Sequence, residues 1–397
     1  MPEIVSLSPA TGSEMRRLPY GRQWISEEDI AAVVEVLRSD WLTTGPQVDA
    51  FEKAFAQTVG SGEAVAVSSG TAALHAAIYS LGITPGDEVI VPALTFAATA
   101  NCVAFLGGCP VFADVDTHTL LMDLSDVRKK ISNRTKAVIA VDYAGQPCDY
   151  DALRLIAHEH GLTVVADACH SLGGSYRGRS VGTLADLNAF SFHPVKHITT
   201  GEGGMVTTDD PRLAQRMRRF RNHGITTDHR QRETQESWFY EMVDLGFNYR
   251  LSDIQCALGL SQLKKLPGWV ARRQSIAEFY TSAFSELAQI SPLKAESDRT
   301  SAWHLYVIKL DLTQLTVGRD VIFRALRAEN IGVNVHYVPV PWHPYYRRLG
   351  YTPGNWPRAE AAYEQVLSLP MWPGMTDSDA ERVVETVTRI VRSFRHS

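Results

Sequence analysis

The chain has little cysteine and no pattern in what it has: Cys102, Cys109, Cys148, Cys169 and Cys256 are scattered over 397 residues without a CxxC pair. An odd, dispersed set argues against a disulfide framework and leaves buried thiols as the simplest reading. The thirteen histidines show no ligand pair set beside a carboxylate motif, so no metal is expected. An excess of positive charge is also lacking. Lys and Arg total 39 against 44 Asp and Glu, a net charge of -5, which excludes a general attraction to nucleic acid or anionic membrane. No apolar run reaches the ~18 residues of a spanning helix. The opening MPEIVSLSPATGSEMRR lacks the apolar segment of a secretory signal, so a cytoplasmic protein is expected. Internal repeats and low-complexity tracts are missing too.

What is present is ordinary for a soluble globular protein, with 45% hydrophobic and 21% charged residues. The length exceeds what one core usually serves, and the pattern divides into residues 1–265 and 266–397. From residue 64 onward AVAVS, EVIVPAL, CPVFADV, AVIAVD, TVVADA, LNAFSF and GMVTTD recur as short, Val- and Ile-rich runs separated by helical segments. Such runs predict a mostly parallel sheet covered on both faces, an α/β domain with its ligands at the carboxyl ends of the strands. Ahead of it, Ser26 caps a helix to Leu37 with Ile30, Val33, Val34 and Leu37 on its apolar face. DWLTTGP (Asp40 to Pro46) reads as a loop and Thr226 to Ser237 as a polar flap. A helix follows Ser252, Pro267 and Gly268 interrupt it, and a long amphipathic helix then leads into a small α+β region ending in DAERVVETVTRIVRSF.

One stretch draws the rest together. In AFSFHPVKHITTGEGGM, from Ala189 to Met205, a strand breaks into a loop that presents Lys196 among small and hydroxylated residues. A lysine amine is a covalent catalyst toward carbonyls, and pyridoxal phosphate (PLP) is its usual partner. That cofactor needs an acid at its pyridine nitrogen, a phosphate cup and a surface for its ring. Asp167, ending TVVADA, is a candidate for the acid, its alternative being a helix cap or a surface carboxylate. His170 could meet the ring or be structural. Ser68, Ser69, Gly70 and Thr71, between strand and helix, form a candidate cup with Ser191, although caps use the same residue types. Phe96 could face the ring or fill the core.

These residues sit in blocks that carry a resemblance: SSGTAAL, PALTFAATAN, DACHSLGGSYRGRSVG, SFHPVKHITTGEGG and LGFNYRLSDIQCALGLSQL, in order along the chain. The chain resembles the sugar aminotransferases of the DegT/DnrJ/EryC1/StrS family over its full length. The resemblance implies PLP-dependent transferase fold type I, with a mostly parallel central sheet and a smaller C-terminal α+β domain. It makes Lys196 the Schiff-base lysine and proton shuttle, and pairs Asp167 with the pyridine nitrogen. It places Gly70, Thr71 and Ser191 at the phosphate, Phe96 on the ring and His170 near it, and takes Cys169 as packing. Asn248, in GFNYR, would reach the phosphate of a partner subunit, which implies a homodimer with shared sites.

Within the family, PYGRQWISEEDI, SDWLTTGP and EMVDLGFNYR look most like the pseudaminic acid branch, which aminates UDP-4-keto-6-deoxy-N-acetyl-β-L-altrosamine with L-glutamate as donor. A dTDP- or GDP-linked keto sugar is the alternative substrate, and a non-catalytic regulatory relative a further one. A related dehydratase class has histidine where Lys196 stands. Tyr20, Arg22, Trp41, Thr43, Thr44, Arg230, Arg232, His336 and Tyr337 are candidates for contacts to the nucleotide sugar, because an acidic protein needs local cations for a diphosphate.

Overall fold

A computed structural model describes residues 16–227, 229–234 and 236–396. Most of the opening segment that was read for a secretory signal lies outside the described residues. Seven strands form the central sheet: β1 (Glu63–Val67), β2 (Glu88–Pro92), β3 (Cys109–Ala113), β4 (Thr135–Val141), β5 (Thr163–Asp167), β6 (Leu187–Ser191) and β7 (Gly204–Thr208). Their order across the sheet is β1-β7-β6-β5-β4-β2-β3. Strand β7 pairs antiparallel with both β1 and β6, whereas all other pairings are parallel. Six strands therefore point the same way. Each predicted apolar run became one of these strands, because a sheet covered on both faces buries successive side chains whichever way they point. Val89, Ile90 and Val91 of β2 and Val138, Ile139 and Ala140 of β4 are fully buried.

The common direction gathers five strand ends at one rim. Ser69 follows β1, Thr95 and Phe96 follow β2, Val141 ends β4, Asp167 ends β5 and Ser191 ends β6. Beyond the sheet, the helix Leu266–Phe284 joins two clusters of buried side chains. Leu266 and Val270 pack into the cluster around the large sheet, while Ile276, Tyr280 and Phe284 pack into a second one. The second cluster is built on a three-stranded antiparallel sheet, Ile290–Pro292, Tyr306–Leu310 and Val366–Leu369, with the helices Arg319–Ala328 and Asp377–Ser393.

Four local expectations change. The helix after Ser26 forms with the expected capping box, but Ile30 and Leu37 are exposed and Asp29 is buried. The helix docks through that carboxylate, which accepts from Ser261 Oγ (2.6 Å), Gln262 Nε2 (2.7 Å) and Lys265 Nζ (2.8 Å). Pro46 starts a helix, Pro46–Val59, as its missing N–H allows in a first turn. Pro267 and Gly268 likewise lie in the first turn of Leu266–Phe284 and not between two helices. The polar flap contains a short helix, His229–Thr234. No helix among the described residues is long and apolar enough to cross a membrane.

Candidate active site

The rim of the sheet opens into a cavity of about 520 Å³ lined by Ser69, Gly70, Thr71, Thr95, Phe96, Asp167, His170, Ser191 and Lys196, and on the far side by Tyr20, His304, Asn334, His336 and Tyr337. Lys196 stands in the turn after β6 and is half buried. Burial disfavours its ammonium form and lowers its pKa from the ordinary lysine value, an effect that the neighbouring Asp167 carboxylate opposes. The Cys169 thiol is pushed far up by burial and by Asp167, so it stays protonated.

Asp167 is buried at the end of β5. Its Oδ2 accepts from Thr99 Oγ1 at 2.8 Å, and Thr99 in turn contacts Thr95 Oγ1 at 2.8 Å. Among the described residues its Oδ1 receives one long bond, from the Cys169 N–H at 3.3 Å. One carboxylate oxygen is thus engaged, and the other has capacity for a further donor.

The cup forms where β1 meets the helix Gly70–Ser80. The Ser69 hydroxyl caps that helix by accepting from the Ala72 N–H at 3.1 Å. The N–H groups of Gly70 and Thr71 have no partner among the described residues. No acidic residue occupies the first turn, so the helix end attracts an anion. Glycine is required there by close approach. A Cβ on Gly70 would lie 2.7 Å from Ser191 Cβ and 3.1 Å from Ser191 Oγ.

On the far side, Tyr337 OH contacts His170 Nε2 at 3.2 Å, and its ring lies 5.9 Å from that of Phe96. Burial drives the imidazoles of His170, His197 and His304 well below the usual histidine pKa, and that of His336 down to about 3. All four are neutral at physiological pH. His193 and His197 have the spacing of a helical metal pair, yet His193 is exposed while His197 turns inward to bond the Ala302 carbonyl at 3.0 Å. Among the described residues no group of three or more His, Cys, Asp or Glu is arranged to hold a metal ion.

The structure brings Ser69, Gly70, Thr71, Phe96, Asp167, His170, Ser191, Lys196, Tyr20, His336 and Tyr337 onto one cavity. It leaves others off it. Trp41 borders a separate groove beside the helix Glu27–Leu37. Thr43 bridges to Ser252. Thr44 and Arg230 line an arginine-rich hollow in which Arg230 pairs with Asp49 at 2.7 Å. Arg232 donates to the Thr227 carbonyl at 2.6 Å, and Arg22 is exposed. Asn248 is exposed on a loop outside the cavity. Sequence reasoning missed Thr95 and Thr99, whose signal was their place in the PALTFAATAN block, and His304.

The residues present fit pyridoxal phosphate: an amine, a carboxylate with a spare oxygen, a helix end with free N–H groups and an exposed aromatic face share one cavity. Comparison with known proteins gives the same class. The profile of the DegT/DnrJ/EryC1/StrS aminotransferase family matches residues 23–388. The chain is 44% identical over 378 residues to the spore coat polysaccharide biosynthesis protein SpsC of Bacillus subtilis, covering 94% of this chain and 97% of that one. It superposes with a TM-score of 0.90 and 32% identity on the putative sugar aminotransferase Spr1654 of Streptococcus pneumoniae, solved in its PMP form, covering 95% and 99% of the two chains. Helicobacter pylori PseC, an aminotransferase involved in the biosynthesis of pseudaminic acid, matches with a TM-score of 0.89 and 32% identity over 96% and 100%.

Proposed function

Because the chain belongs to the DegT/DnrJ/EryC1/StrS aminotransferase family, and is therefore a PLP-dependent sugar aminotransferase, we propose that it moves the amino group of L-glutamate onto UDP-4-keto-6-deoxy-N-acetyl-β-L-altrosamine. The observation that carries the amino transfer is the meeting of Lys196, Asp167 and the free N–H groups of Gly70 and Thr71 on one cavity. Likeness to PseC supports the sugar. The name of SpsC favours a second reading, a different nucleotide-linked keto sugar destined for another polysaccharide.

When bound, the cofactor supplies a carbonyl that takes up the amino group and a protonated ring that accepts the electron pair released at the donor's Cα. Lys196, its ammonium form disfavoured by burial, would take the proton from that Cα and return one at the other end of the transfer. Asp167 would hold the proton on the ring nitrogen, and Oδ1 is the oxygen with capacity for it, since Thr99 occupies Oδ2. Gly70, Thr71 and Ser191 bind the phosphate and Phe96 covers the ring. Tyr337 OH holds the His170 ring in place through their contact at 3.2 Å.

Tyr20, His336 and Tyr337 form the sugar wall in this reading. Lys196 is the one lysine or arginine among the described residues lining the cavity, and it is committed to the amino transfer, so the diphosphate and the glutamate carboxylates need cations from elsewhere. A second copy of the chain supplies them, together with Asn248. In support, Asn248 follows an exposed apolar belt in which Trp238 is 85% and Leu245 73% accessible, with Phe239, Tyr240, Met242, Val243 and Phe247 between and beside them. A belt of that size needs a covering surface. Arg22, Trp41, Thr43, Thr44 and Arg230 remain candidates for the nucleotide in such a dimer. The division at residues 265 and 266 and a cytoplasmic location, where nucleotide sugars and glutamate meet, belong to the same proposal.

The test is incubation of the cofactor-loaded protein with glutamate and a panel of UDP-, dTDP- and GDP-linked keto sugars, with the products identified by mass. Amination of the UDP-linked altrosamine derivative at the highest kcat/KM supports the first reading. Preference for another sugar selects the second, and 2-oxoglutarate production with none of them overturns both.

A further inference from the structure

Behind the cavity lies a cation that the chemistry above does not use. Arg273, on the helix Leu266–Phe284, is 0% exposed. Its Nη1 donates to the carbonyls of Trp303, His304 and Met371, each at 3.2 Å. Its Nε and Nη2 have no hydrogen-bond partner, and it forms no ion pair with a carboxylate among the described residues. A guanidinium in such a place is costly to bury, and an amide or apolar side chain would serve packing better. A role for its charge is the physical alternative.

The strip that Arg273 grips leads to the site. Three successive carbonyls are held from two sides: Ala302 by His197, the residue after Lys196, and Trp303 and His304 by Arg273. The same strip is fixed to the rim of the sheet by the bonds from Ala302 N to Gly145 O (2.9 Å) and from Leu305 N to Ala144 O (3.2 Å). No slack remains there, since a Cβ on Gly145 would lie 2.6 Å from Trp303 N and 2.9 Å from His170 O. The His304 ring then stands 4.4 Å from that of His170.

We propose that Arg273 is a positioning residue for charge: held rigidly behind His197 and His304 without a counter-ion, it keeps the Lys196 amine unprotonated and so ready to act as nucleophile and base. This rests on the reading of Lys196 as the reacting amine. The titratable groups facing Lys196 are Asp167, Cys169, His170, His197, His304 and His336, with Arg273 behind them. Burial holds the four imidazoles and the thiol neutral, which leaves Asp167 and Arg273 as the charges of this buried group, with Glu202 and His193 also lining the cavity. Asp167 favours the ammonium and Arg273 opposes it. Arg273 itself stays charged, because burial pushes its pKa down only to about 10.

The test compares the wild-type holoenzyme with Arg273→Gln, which keeps a donor for the carbonyls and loses the charge. Two readouts are taken: the pH at which the visible band of the lysine-bound cofactor changes, and, after cofactor removal, the pH dependence of Lys196 acylation by acetic anhydride, read by peptide mass spectrometry. Both midpoints are expected to rise by about one unit in the variant, which slows acylation at neutral pH roughly tenfold. A folded variant whose midpoints move by less than about 0.2 units overturns the proposal. Should Arg273→Gln fail to fold, Arg273→Lys replaces it. The retained cation is expected to leave the midpoints near the wild-type values, and a rise of about one unit there sinks the idea. A wild-type Lys196 midpoint at the ordinary lysine value refutes it without any variant. The reading of the site fails separately, if the cofactor does not attach to Lys196 in the wild-type protein.

Discussion

Asp142 offers the sharpest quantitative test of the buried polar layer beneath the site. Its carboxylate is fully buried just past β4. Oδ1 accepts from the Cys148 N–H (2.9 Å) and Tyr150 OH (2.8 Å), and Oδ2 from Ser171 Oγ (2.6 Å). Burial, with a smaller push from Asp167, raises its pKa from the ordinary 3.8 to about 6, against those three hydrogen bonds. A folded-state pKa above the unfolded one means that the fold prefers the protonated acid. The corresponding stability is fully present below the unfolded value of 3.8 and is lost as pH rises through about 6. Two units at about 1.4 kcal/mol each make the loss about 3 kcal/mol, most of it between about pH 4 and about pH 7. Asp142→Asn removes the titration while its amide oxygen keeps both Oδ1 contacts. Its NH₂ can donate to Ser171 Oγ, whose hydroxyl already lies 3.4 Å from the Ala168 carbonyl. Urea unfolding of both cofactor-saturated proteins across this range should show the variant gaining on the wild type by about 2–3 kcal/mol as pH rises. The buried histidines pull the other way with pH, but they are common to both proteins and cancel in the difference. A difference that stays flat, or falls, refutes the raised pKa and with it the picture of a dry layer under the cofactor site.

Four further outcomes are expected. Lys196→Ala should abolish the visible band of the lysine-bound cofactor and turnover, while Asp167→Asn, which keeps the Thr99 contact, should fold and lose about 10²–10⁴ in kcat; absorbance spectra and steady-state assays decide both. Gly70→Ala should fold yet weaken cofactor affinity at least about tenfold, because its methyl meets Ser191 and crowds the cup, and a cofactor titration with unchanged affinity removes the cup from that place. Mixing inactive Lys196→Ala with a weakened Asn248→Ala protein should restore activity above the sum of the two, since a mixed dimer regains one intact site, and strictly additive rates count against sharing.

Fold and sequence pattern agree most closely where burial is two-sided. The strands β2, β4 and β5 are runs of Val, Ile and Ala because both faces of the sheet are covered, and such runs are visible without knowing their partners. Periodicity misled where polar groups do the docking. On the helix Glu27–Leu37 the apolar stripe through Ile30 and Leu37 faces outward, and the buried contact is Asp29 against Ser261, Gln262 and Lys265. Those partners lie more than two hundred positions away, so nothing local marks the residue. Pro46 reads as the end of a loop and Pro267 as a break, although a proline in a first turn marks a beginning as readily as an end.

The site divides along the same line. Lys196, Asp167 and the Ser69–Thr71 turn were legible because their residue types are themselves the chemistry, and because parallel strands must bring their carboxyl ends to one rim. Thr99 escaped notice: a threonine has no special meaning until its hydroxyl is seen at 2.8 Å from Asp167 Oδ2. Arg273 was still less legible. Its partners are main-chain carbonyls at 303, 304 and 371, and a carbonyl leaves no mark in a sequence, because every residue has one. What a pattern of side chains can reveal is therefore the reacting groups, whereas the charge that surrounds them depends on backbone geometry. Two chains with the same lysine, aspartate and cup could still differ in the proton affinity of that lysine, and with it in the pH range over which the shared chemistry runs.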